Sequence, residues 1–224
     1  MSPAPPSDTT ARNRSDGTCE PAEPEFDPWA SADRTEAILA DGTIIVVLPV
    51  GPGVYDHALL RHELLAHFTE LSEESRYRRF LAAMPQLSPS MLHRLVDSVD
   101  DVNHVALFAQ TLPPGAEHPV SRQPLVGTPV GIARFIRDPE RPAAAEIAVT
   151  VLDDWQHRGI GGMLTRALAQ AALRRGIDTF VGDVLSTNAA AFALLGHAGP
   201  VTRSPVGAGV VHAEARLRAA TSPR

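Results

Sequence analysis

This 224-residue sequence predicts a mixed α/β fold, a central sheet of about six to seven strands flanked by helices. Three observations carry that reading. Short β-branched runs bounded by Gly, Pro and Asp recur along the chain. Helical spacing dominates residues 55–97, ahead of most of the strands. One strand–glycine loop–amphipathic helix unit, residues 145–175, is written without ambiguity.

The elements follow in order. Residues 1–37 read as a disordered tail, because Pro3, Pro5, Pro6, Pro21, Pro24 and Pro28 lie among Ser, Asp, Glu and Thr with too few aliphatics to offset ordering entropy. The folded domain is expected over 38–218, with 219–224 frayed. Thr43–Leu48 is a strand between Asp41-Gly42 and Pro49. Leu60, Leu64, Leu65 and Phe68 space a helix over 55–68. A second helix runs over 73–83, with Ser72 as its cap and Glu73 and Glu74 in the favourable first turn. Ser88 caps a third, over 89–97, which opens on Pro89. Strands are expected at 104–111, 129–137 and 145–152. Ile160, Met163, Leu164, Ala167, Leu168 and Ala171 give the clearest helix, 159–175, which stops at Gly176. A strand at 179–185, a short helix over 188–195 and a last strand at 210–217 complete the chain.

Composition excludes several classes. The only cysteine, Cys19, rules out an intrachain disulfide framework and a Cys-based zinc cluster. The net charge is −6, from 20 basic and 26 acidic residues, which argues against a nucleic-acid partner. All the basic residues are Arg, so no Lys nucleophile, Schiff base or P-loop is available. No apolar run is long enough for a bilayer, and the N-terminus lacks the order of a secretory signal. A cytoplasmic protein without a membrane partner is expected.

The chemistry concentrates in Ala145–Gly162, AEIAVTVLDDWQHRGIGG. A strand enters a glycine-rich loop that opens directly into a helix. The first helical amides have no intrahelical partner and sit at the positive end of the dipole, and Arg158 adds charge. That is an anion site suited to a phosphate or pyrophosphate. The dinucleotide fingerprint fails, because Leu164 stands where its last glycine belongs.

What remains, Gln156-x-x-Gly159-x-Gly161-Gly162, resembles the Q/R-x-x-G-x-G/A loop of the GNAT superfamily of N-acetyltransferases. Phe68-x-x-Leu71-Ser72-x-Glu74-Ser75-Arg76-Tyr77-x-Arg79-Phe80, with Met84-Pro85 and Leu87-Ser88, resembles the GNAT domain of bacterial protein lysine acetyltransferases. The resemblance covers about residues 40–217. It implies the GNAT fold, acetyl-CoA as co-substrate, and a primary amine as acceptor, either a protein lysine or a small molecule. It implies that Val149, Thr150 and Val151 lie on a strand edge that pairs with the pantetheine arm, the Val149 amide donating to the thioester oxygen. It further implies that Gln156, His157, Arg158, Gly159, Ile160, Gly161 and Gly162 hold the pyrophosphate, and that Asn188 touches the cofactor. A non-catalytic acyl-CoA sensor on the same fold is the alternative.

Glu146 is the candidate general base. It is a carboxylate in an otherwise apolar strand, three residues before Val149, and matches the glutamate that serves as base in the similar protein acetyltransferases. Burial would raise its pKa. The competing reading pairs it with Arg134 or Arg137. The family's thiolate-protonating Tyr is missing, since alignment on Asn188 puts Leu195 there. His62 and His67 stand five apart, so no helical zinc pair is expected. Asp100, Asp101, Asp153 and Asp154 read as solvated acids, or as a lure for a cationic substrate. Arg76, Arg78 and Arg79 read as a solvated helix face, or as contacts to the adenosine 3′-phosphate.

Overall fold

The computed structural model describes residues 31–51, 57–112 and 127–218. Eight strands form one sheet in the order β1-β2-β3-β4-β5-β6-β8-β7. These are β1 Thr35–Ile38, β2 Ile44–Val50, β3 His104–Leu112, β4 Pro129–Arg137, β5 Ala144–Val151, β6 Thr179–Leu185, β7 Val201–Gly207 and β8 Val210–Arg216. Every neighbouring pair is antiparallel except β5–β6. The helices are α1 His57–Glu70, α2 Glu73–Phe80, α3 Pro89–Leu92, α4 Ile160–Arg174 and α5 Ala189–Ala198. A π-helical turn, His93–Asp97, extends α3.

Period-two alternation divides the side chains between two cores. Ile45, Val47, Val105, Leu107, Ala133 and Phe135 face one side, where α4 and α5 cover them with Leu164, Leu168 and Phe192. Val50, Ala106, Phe108 and Ile132 face the other, under Leu60, Leu64 and Phe68 of α1. The middle strands are therefore buried on both faces, which is why β2 and β3 read as almost unbroken apolar runs.

Three features depart from the expected pattern. The sheet has eight strands rather than six or seven. β1 begins at Thr35, inside the stretch expected to be tail; residues 1–30 and 219–224 lie outside the described residues. β7, VTRSPVG, is an exposed edge strand with no inward apolar face to give it a period. Two helix ends also move. α2 stops at Phe80, where Leu81 turns left-handed with φ +55°. α5 runs through Gly196 to Ala198. The expected start of the α1 segment at 55–56 lies outside the described residues.

The early start has an electrostatic cause. Asp33 is 6% exposed. It accepts hydrogen bonds from Arg174, and from Arg175 at 2.9 Å, both at the end of α4. Arg175 continues to Asp101 at 2.9 Å. This network ties the chain ahead of β1 to the C-terminus of α4, where cations also suit the helix dipole. Asp33→Ala leaves two arginines without their shared carboxylate. It should cost about 2–3 kcal/mol, read as a lower urea midpoint with an unchanged slope.

Candidate active site

The parallel β5–β6 register runs only through Ala144↔Thr179, Ala145↔Phe180 and Glu146↔Val181. Beyond Glu146 the strands part. β5 stays paired with β4 as far as Gly131↔Val151, and Leu152 N–H donates to Val130 O at 3.0 Å. Backbone groups alternate sides along a strand, so even-numbered residues of β5 bond β4. Val149 N–H and C=O and Val151 N–H then face the opening, beyond the last β6 partner. The expected splayed edge is present, with Val149 at its centre and the Thr150 backbone turned toward β4.

Two contacts hold the loop after β5. Gln156 Nε2 donates to Val151 O at 3.2 Å and to Ser75 Oγ at 3.3 Å. Asp153 accepts from Ser72 N–H at 2.9 Å, Ser72 Oγ at 2.8 Å and Ser75 Oγ at 2.8 Å. Burial alone would raise the Asp153 pKa, but these donors hold it below the usual carboxylate value. Asp153 is therefore an exposed acid that also ties the loop to α2. Asp100 is likewise structural, accepting from the amides of Val102, Asn103 and His104. Asp101 pairs with Arg175.

The loop turns on two left-handed residues, His157 with φ +60° and Gly159 with φ +85°. The first amide bonded into α4 is that of Met163, to Gly159 O at 3.0 Å. The amides before it form the unpaired helix start expected of an anion site. The three glycines do different jobs. A Cβ on Gly159 would meet nothing within 4 Å, so this position is open and needs glycine for its φ. A Cβ on Gly161 would meet Leu194 Cδ2 at 2.8 Å, and one on Gly162 would meet His197 Nε2 at 2.8 Å. Those two let α4 and α5 approach, and Ile160 is buried in the core. Arg158 stacks on Trp155 at 4.8 Å and pairs with Asp41 at 3.1 Å, so its charge is partly engaged. Asn188 caps α5, its Oδ1 accepting from Ala191 N–H at 3.1 Å.

Glu146 is exposed rather than buried, so the expected desolvation is absent. It pairs with neither Arg134 nor Arg137. Arg137 bonds Asn103, Pro142 O and Arg175 O instead. Glu146, Ala148 and Thr150 share the face of β5 turned away from α4. Ala148 and Thr150 line a cavity of about 30 Å³ beneath α1 and α2, with His67, Arg79, Arg134 and apolar side chains.

Sequence reasoning missed this cavity. His67 is 4% exposed; its Nε2 lies 3.3 Å from Thr150 Oγ1 and its Nδ1 is buried without a partner. Burial, and then the positive Arg134, push its pKa down to about 4. Burial and Arg134 do the same to His104, also to about 4. A charged residue, Arg134, in the middle of the apolar β4 run was the available signal. The arginines of α2 divide: Arg78 pairs with Glu74, Arg76 bonds Leu71 O, and Arg79 turns into the cavity. Leu195 is buried in α5. Among the described residues no group of His, Cys, Asp and Glu is placed to hold a metal, and no helix is long and apolar enough to cross a membrane.

Comparison with known proteins agrees with this geometry. Residues 96–199 match the Acetyltransferase (GNAT) family. Acetyltransferase Pat of Mycolicibacterium smegmatis is 33% identical over 132 residues, 59% of this chain and 35% of that protein. The match thus spans about a third of that relative's length. The GNAT domain of S. lividans PAT superposes with a TM-score of 0.65 at 28% identity, covering 83% of this chain and 97% of that one. A Salmonella typhimurium structure with its cofactor acetyl-CoA shares the fold, with a TM-score of 0.51 at 16% identity over 80% of this chain and 98% of that one. Over residues 96–199 this chain is thus similar to GNAT acetyltransferases, and its fold is that of the GNAT domain of S. lividans PAT.

Two predictions follow from the site. Gly159→Val strains the left-handed position by about 1–2 kcal/mol and fills the open side of the turn. The dissociation constant for acetyl-CoA should rise about tenfold or more, whereas Gly161→Val presses on Leu194 and should chiefly lower Tm. Unchanged calorimetric affinity in folded Gly159→Val would remove this turn from the donor site. Separately, His67 and His104 are neutral in the fold and titrate near 6.5 when unfolded. The unfolded state therefore binds more protons between pH 6.5 and 4, and stability falls as pH drops through that window. Each histidine contributes at most roughly 3 kcal/mol of that loss. Urea midpoints at pH 7.5 and 4.5 measure it, and His104→Gln should shrink the difference.

Proposed function

We propose that this chain transfers an acetyl group from acetyl-CoA to a primary amine, with Glu146 as general base. The single observation that carries the reading is the end of β5–β6 pairing at Glu146 and Val181, ahead of a helix start opened by Gly159. An unpaired strand edge accepts an extended amide-bearing arm as it would another strand. The helix start beyond it suits a pyrophosphate. The GNAT match and the acetyl-CoA held by the Salmonella protein of the same fold support that donor. In this reading the backbone of Val149 and Val151 binds the arm, the backbone of His157–Gly162 binds the pyrophosphate, and Asn188 and Gln156 hold the frame.

An amine near pKa 10.4 is protonated at pH 7, and removing its proton costs roughly 4–5 kcal/mol. Glu146, unpaired and exposed at the mouth of the splay, takes that proton, directly or through a water. The neutral nitrogen attacks the thioester carbon as the Val149 N–H supports the developing oxyanion. The new C–N bond forms, the C–S bond breaks and the thiolate leaves, while the second proton of the attacking nitrogen passes to solvent or to that thiolate. A thiol pKa near 8.5 makes the thiolate a fair leaving group without a protein acid, in keeping with Leu195 where relatives place a Tyr. A protein lysine is the acceptor that the sequence resemblance favours; the cavity beneath α1 and α2 favours a small amine.

Glu146→Gln keeps the shape of the side chain and removes the base. Turnover should fall about 10²–10⁴-fold with acetyl-CoA affinity preserved, followed by free-thiol release. Wild-type turnover and an unaltered pH–rate profile in that variant would take Glu146 out of the reaction. Tight acetyl-CoA binding with no thiol release against any amine or lysate would establish the sensor reading instead.

A further inference from the structure

The cationic side chains of the cavity have no use in the chemistry above, yet they are its most unusual feature. Arg134 is 6% exposed in the middle of β4. Its contacts are Leu95 O at 2.7 Å and His104 Nε2 at 3.4 Å, neither of them an anion. Elsewhere Arg61, Arg141, Arg158, Arg174, Arg175 and Arg216 each meet a carboxylate. The buried arginine, where a counter-charge matters most, has none among the described residues. Two positive side chains, Arg79 and Arg94, act on it electrostatically. Burial and then those neighbours lower the Arg134 pKa to about 9, so it remains charged at neutral pH. Arg79 lies over the Phe80 ring at 4.8 Å and lines the same cavity. Among the described residues no acidic side chain lines it, and the Nδ1 of His67, another lining residue, is buried without a partner there.

We propose that Arg134, with Arg79, binds a carboxylate, and that the acceptor is a small amine carrying that carboxylate, of amino-acid type. The proposal rests on the amine acetylation argued above and adds the substrate class. A buried guanidinium surrounded by positive charge costs stability unless a ligand completes it. Departures of this kind concentrate at functional sites. The planar fork of donors on Arg matches a carboxylate. The cavity, at about 30 Å³, holds roughly two water-sized atoms, which suits the two oxygens of a carboxylate better than a phosphate.

The register sets the spacing. Arg134 pairs with Ala148, and Ile136 pairs with Glu146, so Arg134 and Glu146 are diagonal neighbours on one face. Such positions have Cβ atoms about 7–8 Å apart. A molecule whose amine and carboxylate are separated by a few bonds can lie between them. Glu146 acts electrostatically on Arg79, which places the base and the anion site in one field.

The test compares matched acceptors. Glycine, β-alanine, 4-aminobutyrate, 5-aminovalerate and the common α-amino acids are assayed with acetyl-CoA against their carboxamides. The best acid should exceed its own amide by about tenfold or more in kcat/KM, the scale of a charge-assisted hydrogen-bond pair. Arg134→Met should abolish that preference through KM and leave acetyl-CoA affinity intact. Its Tm should not fall, because an uncompensated buried charge is removed; Arg79→Met serves as the second variant if Arg134→Met does not fold. In parallel, wild-type Tm is measured with sodium propionate and with sodium chloride at equal ionic strength. Propionate should raise it saturably, and not in the arginine variant. Equal rates for acids and amides, an acid preference that survives folded Arg134→Met, or acetylation confined to protein lysines each overturns the proposal. If no amine is acetylated although acetyl-CoA binds, the proposed activity fails by itself. The propionate arm then decides alone: a saturable, Arg134-dependent shift upholds the carboxylate site, and identical curves in the two salts overturn it.

Discussion

β5 and β6 begin as parallel neighbours and separate after Glu146 and Val181, and a sheet does not leave backbone groups unpaired at its centre without support. The support comes from both faces. Beneath the opening, Ile147, Val149 and Val151 pack on the α4–α5 core, which keeps β5 in the plane of β4. At its far end the Gln156 amide covers the Val151 carbonyl and reaches Ser75 on α2. The motif's first residue thus acts as a strut, and the groups left for a ligand are those of the backbone. The same division explains the glycines: Gly159 serves the turn, while Gly161 and Gly162 set the spacing of α4 and α5. A loop that is read as a binding sequence is, residue by residue, mostly a device for holding main chain in place.

The two faces of β5 have opposite characters. Odd residues feed a dry, uncharged core; even residues face Arg79, Arg134 and His67. The strand therefore separates the donor's edge from a cationic pocket, with Glu146 at the exposed end. Burial, and then Arg134, keeps His67 and His104 neutral, so positive charge on that side belongs to the arginines. An electropositive pocket inside a protein of net charge −6 is a local construction.

The strong elements were legible because periodicity and punctuation agreed. α4 has a complete apolar stripe, a glycine start and a glycine stop, and it lies within one residue of where spacing put it. β7 was illegible for the opposite reason: an edge strand with both faces wet carries no period, and Pro205 reads as a breaker. β1 was hidden by composition, since its anchor, Asp33, sits in a polar stretch and its partners lie about 140 residues away. Motif logic located the turn and the splayed strand. It could not divide labour among the glycines or show that Asn188 caps a helix, because both depend on what α5 places opposite. Nor could it find the cavity, whose lining residues come from five separate elements, although Arg134 amid β4's aliphatics marked the spot.

The contact of Asp153 with α2 has a mechanical consequence. One carboxylate takes three hydrogen bonds from Ser72 and Ser75, while α2 carries Arg79 into the pocket and the loop leads into α4. Moving the helix away by an ångström would break all three bonds together, so the joint has no graded response. With Gln156 also bonded to Ser75, the loop and α2 are pinned together, and the spacing between them stays fixed as long as those bonds hold.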